Sequence, residues 1–266
     1  NHTYDALLDL AHVLHVLPRA LSLNGELGIA FGARGSGGAH PAKAHYEPTY
    51  VVINLTKKNG AGSLAHEWFH SLDNYFSRQR GNNSDMMLKS IDVNYVGNTK
   101  SFDDSAFEHH YNQLNHTSLS VRKDVVLAFG EVLKAIRDSG LKERCEKLDQ
   151  VRTKDYWSTT IEMGARSFES YVVDKLTTEK ISDDFLANFV TENEWKMLED
   201  GKITSYPYPT EAEKPTIHKA FENLFSTIKV RQEGKQYQLY STSNGNDLQR
   251  MATEAVLIPA ESLTRK

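Results

Sequence analysis

Cys145 is the only cysteine among 266 residues. That excludes an internal disulfide and any zinc site built on thiolates, and it suits a reducing compartment. No apolar run approaches the ~20 residues that a membrane span needs. Charge of one sign is also scarce. A net charge of −4 and a pI near 6.3 give no global footprint for nucleic acid or an anionic membrane. The N-terminus has no basic region and carries Asp5 and Asp9, so it does not read as a signal peptide. The expectation is a cytoplasmic protein with no membrane partner. Because the chain opens on Asn1 rather than Met, it is expected to be a piece of a longer polypeptide. What remains is ordinary globular composition, enough for one large domain or two small ones.

The chemistry concentrates in AGSLAHEWFHSLDNYF, residues 61–76. His66, Glu67 and His70 stand in the order H-E-x-x-H within a run of helical periodicity. Residues four apart share a helix face, so the two imidazoles aim at one point, as two ligands of a zinc ion must. Glu67 sits beside them, where a carboxylate could take a proton from water. Chance alone would place this motif in such a chain on the order of a few times in a hundred. The competing reading is a half-buried helix whose histidines are merely hydrogen-bonded. Against it stand an apolar flank (Leu64, Ala65, Trp68, Phe69, Leu72, Phe76), punctuation by Gly60 and Gly62, and Ser63 as a possible N-cap.

The pattern predicts an amphipathic helix over residues 4–17, a short strand over 27–32 and a β-branched strand over 49–56. An edge strand beside a metal cleft pairs readily with an extended peptide, and Val51, Val52, Ile53 and Asn54 are the expected substrate strand. The alternative is an ordinary core strand. His12 and His15 lack a carboxylate partner and read as structural or exposed. The glycine-rich segment 34–38 lacks the ending and following helix of a phosphate loop, and reads as a turn. Residues 81–120 are polar and irregular. Their His109, His110 and His116 lack ligand spacing and are not expected to form a second metal site. Helices are expected over 121–139, 141–151 (short and exposed) and 210–230. The expected organisation is one domain over 1–235 with a polar tail over 236–266.

A catalytic zinc usually has three protein ligands. Residues 73–78 supply no third histidine, so a glutamate from a second helix is sought. Residues 156–175, YWSTTIEMGARSFESYVVDK, bury Ile161, Ala165, Phe168 and Val172 and offer Glu162 or Glu169. Thr159 to Glu162 also matches a capping box, in which Glu162 would only close the helix end.

HEWFHSLDNYF together with EMGARSFESYV resembles the gluzincin branch of the zincin-like metallopeptidases. The pairing is similar to that in the catalytic domain of anthrax lethal factor. It is closer still to the zincin-like domain of large polyvalent proteins of phages and conjugative plasmids. AHYEPTYVVINLTKKNGAGSLAHEWFHSLDNYF, YWSTTIEMGARSFESYV and YPYPTEAEKPTIHKAFENLF carry that likeness over most of the chain. The resemblance implies an α+β zincin-like fold, with a small mixed sheet, an edge strand beside the active-site helix and a mostly helical remainder. It implies His66 and His70 as ligands of one zinc per chain and Glu67 as general base. It favours Glu162 over Glu169 as third ligand, and makes Asp73 the carboxylate that orients a ligand imidazole. The interval from His70 to Glu162 is much longer than in compact gluzincins, a departure that the likeness to lethal factor does not explain.

The expected function is zinc-dependent hydrolysis of peptide bonds in a protein substrate. The resemblance associates it with mobile-element proteins acting in the bacterial cytoplasm. Tyr156, one turn before the third-ligand helix, is the expected donor to the oxyanion, with Tyr46 and His45 in reserve. Tyr156 and Trp157 could instead staple the helix start. Two other classes remain. One is a zincin-like binding module that docks a partner protein or nucleic acid, which would have no use for Glu67. The other is a metal hydrolase acting on a different bond.

Overall fold

The computed structural model describes residues 2–32, 43–78, 86–92, 105, 123–198, 205–233 and 236–241. The glycine-rich segment 34–38, His109, His110, His116 and residues 242–266 lie outside the described residues. The architecture is mixed α+β, mostly helical, with a small three-stranded sheet and a separate hairpin.

Helix α1 (His2–Val13) buries Ala6, Leu10, Ala11 and Val13. It stops short of the expected end at residue 17. His15 takes a left-handed φ of 54°, and Leu17 is extended ahead of Pro18, which opens a 3-10 turn (Pro18–Ser22). His12 and His15 are exposed.

Strands β1 (Gly28–Phe31), β2 (Ala44–Glu47) and β3 (Val52–Leu55) form one sheet in the order β1-β3-β2. β3 runs parallel to β1, with Ile29 opposite Ile53, and antiparallel to β2, with Tyr46 opposite Ile53. This corrects the expected substrate strand. Val52, Ile53 and Asn54 lie on the central strand, hydrogen-bonded on both sides, and Ile53, Asn54 and Leu55 are buried. Val51 precedes the strand, in a turn with φ 52°. The β-branched run marks the strand most deeply buried in the sheet rather than its edge. The edges, among the described residues, are β1 and β2, and β2 packs against the H-E-x-x-H helix.

That helix, α2 (Leu64–Arg78), is buried on almost every side. Trp68 and Phe69 meet Phe168 of α6 (Thr160–Thr178) at ring centroid distances of 5.9 and 4.9 Å. Around them lie α3 (Met87–Ile91), α4 (Lys123–Asp138) and α8 (Lys214–Thr227), with α5 (Leu141–Asp149) packed on α4; α7 (Glu192–Leu198) meets Trp157 and Tyr206 through Trp195. Phe129 of α4 and Phe221 of α8 stand 6.4 and 5.5 Å from Phe69. Each fully buried aromatic contributes about 1.5–3 kcal/mol relative to exposure. Gly164 lets the layers close. A Cβ there would stand 2.4 Å from Leu88 Cδ1 and 3.4 Å from Phe69 Cε1, so any larger residue would push the Leu88 side chain out of its place.

Three further departures follow from packing. α5 is not an exposed helix, since Leu141, Cys145 and Asp149, at i, i+4 and i+8, form a buried face. The last predicted helix ends at Thr227, where β4 (Ile228–Glu233) begins and pairs with β5 (Gln236–Ser241). The hairpin therefore crosses the expected boundary at 235/236. No helix among the described residues is long and apolar enough to cross a membrane.

Candidate metal centre

The start of α2 is clamped before its functional residues begin. Gly62 has φ 83°; its N–H donates to Phe185 O and its carbonyl accepts Asn188 N–H. One turn on, Ala65 N–H donates to Leu186 O at 2.9 Å. The helix then presents His66 and His70 on one face with their Nε2 atoms 3.1 Å apart.

The loop before α6 is held by a buried carboxylate. Asp149 Oδ1 accepts the N–H groups of Tyr156 and Trp157, each at 3.0 Å. Its Oδ2 accepts Ser158 N–H at 2.8 Å and the Ser158 hydroxyl at 2.7 Å. The expected capping box is absent. Thr159 Oγ1 turns back to donate to Tyr156 O, and the Thr159 N-cap makes no side-chain bond to the helix. Glu162 is thereby free to face α2. Its Oε2 lies 3.4 Å from His66 Nε2 and its Oε1 3.4 Å from His70 Nε2.

His66, His70 and Glu162 form a group able to hold a metal ion, each offering one ligand atom. Atoms bonded to zinc at about 2.05 Å with tetrahedral angles stand about 3.3 Å apart. The two imidazole nitrogens, 3.1 Å apart, are near that spacing, and each lies 3.4 Å from a different oxygen of Glu162. Glu162 Oε2 is buried without a hydrogen-bond partner among the described residues, with His66 Nε2 at 3.4 Å and an Arg166 guanidinium nitrogen at 3.6 Å.

Charge within the group is strongly coupled. Burial alone would raise the Glu162 carboxyl, but the adjacent imidazoles of His66 and His70 hold it well below the usual carboxylate range. Burial alone would lower His66, but Glu162, Glu169 and Glu67 push it up to about 10. Ligation requires a neutral imidazole, so metal uptake must displace that proton. Burial raises the Glu67 carboxyl against the opposing pull of His66 and His70.

Glu169 is not the third member of this group. Its Oε2 faces His66 Nδ1, the nitrogen turned away from Glu162, at 3.7 Å. Tyr156 is partly exposed, and its hydroxyl faces Glu162. Burial and the Glu162 carboxylate raise its pKa well above the ordinary phenol value. Its ring also meets Trp157 edge-on at 5.2 Å, so both expected roles are compatible with its position. Asp73 makes no hydrogen bond to His70 among the described residues: its Oδ1 accepts Leu88 N–H at 2.9 Å, capping α3, while its Oδ2 and His70 Nδ1 are both buried without a hydrogen-bond partner and the two side chains interact through charge. Tyr46 is directed elsewhere, donating to Asn74 Oδ1 at 2.9 Å. His45 on β2 influences Glu67 and contacts Glu47 Oε1 at 3.2 Å.

Residues that sequence reasoning gave no part in the site are Arg166, Asp149 and Tyr208. Arg166 is buried, with a guanidinium nitrogen 3.6 Å from Glu162 Oε2, another donating to Trp157 O, and Nε bonded to Pro207 O at 3.0 Å. A signal was present. Glu162, Arg166 and Glu169 at i, i+4 and i+7 place a polar stripe along a helix otherwise built for burial.

The profile of the family "large polyvalent protein-associated domain 1" matches residues 148–232. The match associates the chain with large polyvalent proteins. It includes Asp149, Glu162, Arg166, Glu169 and Tyr208, and lies wholly after His66 and His70. No curated protein and no solved structure matches the chain.

Proposed function

We propose that the chain is a zincin-like, zinc-dependent peptidase, one part of a larger mobile-element protein, that hydrolyses peptide bonds in a protein substrate. The observation that carries this reading is the convergence of His66 Nε2, His70 Nε2 and the Glu162 carboxylate, whose ligand atoms, one from each residue, lie within 4.8 Å of one another. The two imidazole nitrogens are 3.1 Å apart and each is 3.4 Å from one of the two Glu162 oxygens. A zinc ion held there supplies Lewis acidity toward a water and the scissile carbonyl. Glu67 accepts a proton from the water as its oxygen attacks the carbonyl carbon, and returns it to the amine as the C–N bond breaks. Tyr156, kept protonated by burial and by Glu162, donates to the oxyanion. The β2 edge offers backbone groups to an extended substrate.

The test combines metal analysis with cleavage. The wild type should hold one zinc per chain and cleave an unfolded or candidate protein substrate, and a chelator should abolish the cleavage. Glu67→Gln should retain zinc and fold but lose cleavage. Tyr156→Phe should lower turnover by about 10²-fold with zinc retained. Cleavage by Glu67→Gln at the wild-type rate would exclude the proposed base.

A further inference from the structure

His66 engages both ring nitrogens. Nε2 points into the triangle with His70 and Glu162, and Nδ1 faces Glu169 Oε2. A neutral imidazole has one N–H. For Nε2 to offer a lone pair, the proton must sit on Nδ1, and an acceptor there selects that tautomer and raises ligand basicity.

Glu169 is itself held. It is 4% exposed, and the Tyr208 hydroxyl donates to its Oε2 at 3.2 Å. The Tyr208 ring stacks on Phe189 at 4.2 Å with an interplanar angle of 11°. Two arginines clasp the backbone beside it. Arg144 donates to Tyr206 O at 3.0 Å and to Tyr208 O at 3.1 Å, while Arg166 bonds Pro207 O. Arg144 is fixed in turn by two bonds to Glu213, at 2.8 and 2.7 Å.

We propose that Glu169 is a positioning residue that sets the tautomer and ring orientation of His66, and that Tyr208, anchored by Arg144 and Arg166, holds Glu169 in place. His70 Nδ1 makes no hydrogen bond among the described residues. This inference rests on the zinc-site reading above.

The experiment is zinc titration against a competing chelator for the wild type, Glu169→Ala, Glu169→Gln and Tyr208→Phe, with folding checked by circular dichroism. Glu169→Ala should weaken zinc about 10–100-fold. Glu169→Gln, whose amide oxygen still accepts from Nδ1–H, should recover part of that loss. Tyr208→Phe, which removes one oxygen atom and keeps the stacked ring, should weaken zinc about 3–10-fold. In the zinc-loaded wild type the His66 Nδ1 proton should give a downfield resonance that Glu169→Ala loses. Wild-type affinity in both Glu169→Ala and Tyr208→Phe would overturn the proposal while leaving the zinc site intact. If Glu169→Ala does not fold, Tyr208→Phe decides by itself. A wild type that takes up no zinc would overturn the zinc-site reading and this inference with it.

Discussion

Burial dominates the behaviour of Asp73. It raises the carboxyl from 3.8 to about 7, despite the N–H groups of Leu88 and Met87 that favour the charged form. Between those two values the folded chain binds more protons than the unfolded one. Stability from this residue is therefore fully present below about pH 4 and is lost as pH rises to about 7. Asp73→Asn keeps an acceptor for the α3 cap and removes the titration. Urea denaturation from pH 4 to 8 should show the wild type losing stability relative to the variant as pH rises, with zinc affinity unchanged within a few-fold. A parallel pH dependence in the two proteins would contradict this. Asp73 also marks a limit on sequence reading at this scale. Its position one turn after His70 suggested an imidazole partner, but α3 approaches from outside the local sequence and Leu88 N–H takes one of its two oxygens. His66 and His70 were legible because helical spacing puts them on one face, whereas the pattern left Glu162 and Glu169 open and only the resemblance favoured Glu162. Tyr208 was not legible, because its bond to Glu169 spans two distant segments.

Elements impose constraints that side-chain pattern does not display. The run VVIN was correctly legible as a strand, yet its place between β1 and β2 depends on strand order, which periodicity does not encode. The α6 N-terminus shows the same limit. Its sequence matches a capping box, but Asp149 at the end of α5 supplies the oxygens that order residues 156–158. Asp149→Ala strands three N–H donors and one hydroxyl, and should cost roughly 3 kcal/mol or more of stability. It should also loosen the start of the helix that carries Glu162 and weaken zinc binding. Asp149→Asn, with one carbonyl oxygen left, should lose less of both. Denaturant midpoints together with zinc titration measure the two effects. Unchanged zinc affinity in a destabilised Asp149→Ala would separate the loop anchor from the metal site.

Across the whole molecule, the site joins two stretches far apart in sequence through one aromatic core. α2 brings the histidines and α6 the carboxylate, and Trp68, Phe69 and Phe168 fix their distance. The class, α+β with a small sheet, followed from the resemblance, and the periodicities placed the strand over 49–56 and most of the helices. The β4–β5 hairpin was not legible, because residues 236–241 have no apolar pattern strong enough to separate a strand from a tail. The central claim is that this core presents three ligand atoms to one zinc. X-ray absorption at the zinc edge of the loaded protein tests it most directly. The account predicts one zinc per chain, with two imidazole nitrogens and oxygen neighbours at about 2.0–2.2 Å in four-coordinate geometry. Glu162→Gln should lose most of that zinc. A wild type that retains no zinc, or one whose spectrum lacks imidazole scattering, would contradict the claim.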